Sequence, residues 1–75
     1  MKTTEYPDGG FTLDRIPRGG TLMRAHFNRK GVMLAAEGIP TQGNPSGWDI
    51  PKDSYAWKDA QGWGEIHMNK QTPRP

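Results

Sequence analysis

The chain has no cysteine, which excludes disulfides and thiolate metal sites, so nothing staples it covalently. It has no apolar run of the length that a membrane span or a signal-peptide core requires. Its one Asn-x-Ser/Thr triplet, Asn44-Pro45-Ser46, carries Pro in the middle and is no glycosylation acceptor. Together these absences make the cytoplasm the expected address. The usual core residues are scarce as well: Leu, Ile, Val and Phe number ten in 75 residues. Beside a large net charge that poverty would mean disorder, but the net charge is only +2.

What is present instead is ring and thioether volume, with three Trp, two Tyr and four Met. A chain this short buries only about 60% of the surface its unfolded form exposes, so a few large side chains must fill its centre. Such a composition suits a small sheet or barrel. One domain over residues 1–75 is expected, with 1–9 and 69–75 as flexible tails.

The stretch Thr21 to Glu37 holds the longest apolar-bearing run, and its centre, Asn28-Arg29-Lys30-Gly31, has the form of a turn. Asn at the first position bonds its own backbone, and Gly at the fourth enters the left-handed region without a Cβ clash. A type I turn closed by such a glycine and a G1 bulge is a common short hairpin connection. Before the turn, Met23, Ala25 and Phe27 alternate with Arg24 and His26. After it, Val32 to Ala36 is apolar throughout and shows no period. A helix over 22–37 capped at Gly38 is the alternative, but Gly31 in its interior costs about 1 kcal/mol. The hairpin is favoured.

Phe11 to Ile16 alternates as a short strand behind a Pro7-Asp8-Gly9-Gly10 turn signal. Gly38 to Pro51 is broken so often by Pro and Gly that only short elements fit, and Ile39, Trp48 and Ile50 are expected to fasten it to the core. Residues 54–68 read as a second hairpin around Asp59-Ala60-Gln61-Gly62, which has the same polar-first, Gly-fourth form. A short helix capped by Asp53 or Ser54 competes with it. The expected fold is mainly β: a small antiparallel sheet or SH3-like, partly open barrel of about five short strands, 11–16, 21–28, 32–37, 54–58 and 63–68, with a long irregular loop in the middle.

Asn44-Pro45-Ser46-Gly47-Trp48-Asp49 and the later His67-Met68-Asn69-Lys70-Gln71-Thr72 with Pro75 resemble pieces of a WW domain. That family's second signature Trp, just before its last Pro, has no counterpart here, so membership does not follow.

Two side-chain sets suggest function. Trp48, Tyr55, Trp57 and Trp63 fall within sixteen residues, enough for a groove that takes an extended peptide. Some of these rings must also serve the core; Trp57 is expected inside, and Trp48 or Trp63 partly outside. The second set is basic: Arg15, Arg18, Arg24, Arg29 and Lys30 cluster next to a single acid, Asp14. Arg24, Phe27, Arg29 and Lys30 on a hairpin are a possible nucleic-acid grip, though the same cations also serve as a solvated face. No nucleophile elbow, paired carboxylates or phosphate loop occurs, and His26 and His67 lack ligand-spaced partners, so neither an enzyme nor a metal or cofactor is expected. The leading expectation is a non-catalytic protein-binding module, a small accessory or inhibitor protein; a nucleic-acid-binding domain comes second, and a subunit of a larger assembly third.

Overall fold

The computed structural model describes residues 2–17, 21–40 and 47–71. Arg18, the middle of the Gly38 to Pro51 loop with its Asn44-Pro45-Ser46 triplet, and the end of the expected C-terminal tail lie outside them. Among the described residues the order is β1 (Lys2–Glu5), β2 (Phe11–Arg15), β3 (Met23–Phe27), β4 (Met33–Gly38), β5 (Trp48–Asp49) and α1 (Tyr55–Gln71). The strands form one antiparallel sheet in the order β1-β2-β3-β4-β5. The fold is mainly β, as the composition predicts, and the sheet is open rather than closed into a barrel.

Two tight turns set the register. In the predicted one, Gly31 N–H donates to Asn28 O at 2.9 Å and Asn28 N–H to Val32 O at 3.0 Å. Asn28 Oδ1 accepts from the N–H groups of Lys30 and Val32 at 2.9 and 3.0 Å. The first hairpin repeats the pattern: Gly9 N–H donates to Tyr6 O at 3.0 Å and Tyr6 N–H to Gly10 O at 2.9 Å. Gly9 and Gly31 sit at φ 92° and 82°, the left-handed conformation that closes both loops. The hairpin reading of the central stretch is therefore the observed one.

Lys2–Glu5, expected as a frayed tail, is instead an edge strand. Its side chains are polar on both faces, so no alternation marks it; its backbone pairs Lys2 with Asp14 through to Glu5 with Phe11. In β4 the period fails for a different reason. His26 opposes Ala35 while Phe27 opposes Met33, so Leu34 is the extra residue of a β-bulge. Past the bulge alternation returns, with Ala36 and Gly38 buried and Glu37 exposed.

The second hairpin, 54–58 and 63–68, does not exist: these residues form α1. Ser54 caps it, its Oγ accepting from Trp57 N–H at 3.2 Å while Lys58 N–H closes on Ser54 O at 3.1 Å. The governing period is helical, for Trp57, Ala60 and Gly64 are buried at i, i+3 and i+7. Gly64 argues against a helix locally, yet a Cβ there would run into the Phe27 ring, so its absence lets α1 lie close on the sheet. Asn69 to Gln71, assigned to the tail, also belong to this helix.

The core lies between α1 and one sheet face and comprises Phe11, Leu13, Met23, Ala25, Phe27, Ala36, Trp57 and Ala60. The Phe11 and Phe27 rings stack with centroids 4.8 Å apart. His67 tilts onto Phe11 from the helix at 4.2 Å. Rings and alanines, more than branched chains, fill this interior. Ile50 packs against it from the end of the long loop.

Candidate functional site

The four aromatics proposed as one groove do not share a surface. Under a strand period Tyr55 and Trp57 face the same way; in a helix they diverge by roughly 200°. Trp57 is accordingly in the core, while Tyr55 is 84% exposed. Trp48 lies across Gly38 at the β4–β5 pair and is partly exposed. Trp63 is half-buried beside Leu13, Arg15, Ile66, His67 and Lys70, in a cleft between α1 and β2.

The basic set is divided too. Phe27 is 3% exposed and stacked on Phe11, so it offers no face to a base. Arg24 Nε and Nη2 donate to the two carboxylate oxygens of Asp14 at 2.8 and 3.0 Å. Arg29 and Lys30 do stand exposed at the turn tip. Arg29 there packs close to Gly9, bringing the two turn loops side by side.

The sheet face away from α1 carries a polar row whose members the sequence shows only in part. Strand parity predicts Arg24 and His26 outward, and both are. Tyr6, Thr12 and Glu37 join them. Tyr6 Oη and Thr12 Oγ1 share a hydrogen bond of 2.8 Å, Thr12 Oγ1 makes a long contact of 3.5 Å to His26 Nδ1, and His26 Nε2 lies 2.6 Å from Glu37 Oε1. A carboxylate only accepts, so Nε2 carries the hydrogen toward Glu37; in the neutral ring Nδ1 then accepts from Thr12, which accepts from Tyr6. Thr12 and Asp14 are buried although among the described residues no second layer covers this face; β1 and β3 flank β2, with Thr4 and His26 opposite Thr12 and Lys2 and Arg24 opposite Asp14. The Arg24 guanidinium hydrogen-bonded to Asp14 holds that carboxyl below the usual carboxylate range, against the opposing effect of burial. The same hydrogen bond raises Arg24. Tyr6 was hidden from sequence reasoning because the segment before it looked like a tail.

The remaining feature is the outer edge of β4. β5 opposes only Glu37 and Gly38, and Ile50 N–H adds one bond to Ala36 O at 3.0 Å. From Met33 to Ala35 no further strand pairs with β4 among the described residues. Val32 and Leu34, 56% and 61% exposed, stand at that open stretch. Apolarity without period, unreadable in the sequence, here reflects a bulged strand at whose outer side, among the described residues, only β5 pairs.

Among the described residues no group of three or more His, Cys, Asp or Glu side chains is placed to hold a metal ion, and no helix is long and apolar enough to cross a membrane. The class defined is an antiparallel five-strand meander with one helix packed across a single face. Set against protein-family models, curated proteins and solved structures, the chain matches none. Function is accordingly argued from the side chains and their placement.

Proposed function

We propose that the chain is a non-catalytic protein-binding module, an accessory or inhibitor protein that docks on a larger partner along the outer edge of β4. The stretch from Met33 to Ala35 carries this reading: among the described residues no strand pairs with its outer side, and Val32 and Leu34 beside it are exposed. Such an edge accepts an extended strand of another chain, main-chain bonds supplying affinity and the apolar side chains supplying selectivity. In a chain with so few aliphatic residues, leaving two of them at one strand edge favours a covered state in the complex. Trp48, on the adjoining strand and exposed, is the aromatic anchor beside that edge.

The test is affinity capture from host lysate, after nuclease treatment, with the native chain and a Val32→Lys/Leu34→Lys variant. A discrete protein retained by the native chain and lost by the variant is the expected result. Equal capture by both moves the interface elsewhere. Recovery that disappears with nuclease favours the nucleic-acid reading, which keeps Arg29 and Lys30 at the turn tip and predicts binding that weakens steeply with salt.

A further inference from the structure

The geometry points to the cleft between α1 and β2 as a binding site for a small carboxylate carrying an apolar body. Its walls come from two regular elements. Leu13 and Arg15 are alternate residues of β2, and Trp63, Ile66, His67 and Lys70 stand at i, i+3, i+4 and i+7 of α1. The space is about 150 Å³. A cavity near that size takes a benzene-sized body, whereas drug-sized ligands need roughly twice as much or more.

Arg15 is the feature that asks for a ligand. It shares strand parity with Phe11 and Leu13, so it is a cation on the side of the sheet that faces the helix. Its head is held there: Nη1 donates to Lys2 O at 2.8 Å and Asp14 O at 3.0 Å, and Nη2 to Thr3 Oγ1 at 3.0 Å. These neutral acceptors take both Nη1–H groups and one Nη2–H without offsetting the charge, and the Nε–H and second Nη2–H form the side of the guanidinium that a ligand carboxylate would meet. Lys70 adds a second cation, and among the described residues no acid lines the cleft. Beside the charges, on the same two elements, lie Leu13, Trp63 and Ile66, the last of them 57% exposed. His67 is braced by its contact with Phe11, so that wall is fixed before any ligand arrives. One anionic group beside an apolar surface is the chemistry these walls complement. The site uses no residue of β4 or β5, so it stands or falls apart from the docking edge.

The probe is phenylacetate, titrated into the whole chain and followed by NMR at Leu13, Trp63 and His67. Saturable shifts at those residues are expected, with a Kd in the roughly millimolar range or below. Phenylacetamide, the uncharged isostere, should bind at least about tenfold more weakly. Arg15→Gln should weaken phenylacetate by a similar factor; because it also loosens β1, Lys70→Gln on the exposed helix end is the companion variant, with a several-fold loss and an unchanged spectrum elsewhere. A peptide ending in a free Phe carboxylate, compared with its amide, separates two sources of the same chemistry. Tighter binding of the free-ended peptide than of phenylacetate assigns the site to a protein C-terminus, and the reverse assigns it to a free acid. Equal binding of phenylacetate and phenylacetamide, the same shifts from inorganic phosphate, or no saturable shift would overturn the proposal.

Discussion

Gly62 and Gly64 stand two residues apart in α1, and a methyl group has opposite consequences at each. A Cβ at 62 meets nothing within 4 Å, so Gly62→Ala should stabilise by up to about 1 kcal/mol through helix propensity. At 64 the Cβ meets the Phe27 ring, which is buried and already stacked on Phe11 and so has little room to shift. Gly64→Ala should therefore destabilise, by about 1–3 kcal/mol of overpacking less the propensity gain. Urea denaturation of the two variants beside the native chain measures the contrast; the same sign for both would contradict this packing. Asp14 supplies a pH dependence of definite sign. Its carboxyl is held low by Arg24, so the folded state binds its proton less readily than the unfolded chain. The associated stability is present above the unfolded carboxylate value and is lost as pH falls below about 4. Asp14→Asn should flatten that acid limb in a pH series of thermal melts. Arg24 is partly exposed, so the effect is screened and modest.

The helix and the open edge of β4 make separate demands. Ser54 satisfies an otherwise unpaired N–H at the start of α1, and Ser54→Ala should cost about 1 kcal/mol, read from denaturant midpoints. Ser54→Asp, another good cap, should restore most of it. The β4 edge behaves differently, because its exposed side chains make little of the core. Leu34→Lys and Val32→Lys should leave stability within about 0.5 kcal/mol of native while abolishing partner capture. A large stability loss in those variants would mean that the edge is part of the packed interior. β4 overlaps the strand expected over 32–37, whereas residues 55–71 form a helix where a second hairpin was expected, because a local pattern has more than one solution. Asn28 to Gly31 and Asp59 to Gly62 share the same polar-first, Gly-fourth form, yet only the first is a turn.

For the molecule as a whole the governing fact is a thin interior. A stability of 0.05–0.15 kcal/mol per residue gives roughly 4–11 kcal/mol for a chain of this length. Trp57 is the one Trp in the buried core, and Trp57→Ala typically removes about 3–5 kcal/mol, a large share of that total. That variant should lose its near-UV dichroism and cooperative melt, and Trp57→Phe should keep both at a lower midpoint. The composition predicts this dependence on rings, since so few branched side chains are available to replace one.

Several features were legible in the residues alone. Asn28 and Gly31 specify a turn because their backbone preferences act within four residues, and they need no distant partner to do so. The alternation over 11–15 and 23–27 assigns Phe11, Leu13, Met23, Ala25 and Phe27 inward and Arg24 and His26 outward, through the two-residue repeat of a pleated strand. Other choices were settled only by contacts between segments far apart in the chain. Lys2–Glu5 is a strand because β2 presents an edge for it to pair with. Residues 55–71 are a helix whose Gly64 is explained only by Phe27, thirty-seven positions earlier. Tyr6, His26 and Glu37 form one polar row, and Arg15 and Lys70 line one cleft, because strand order and helix placement bring them together. Backbone preference is local and can be read along the chain; which surfaces meet depends on packing that no short window of residues contains.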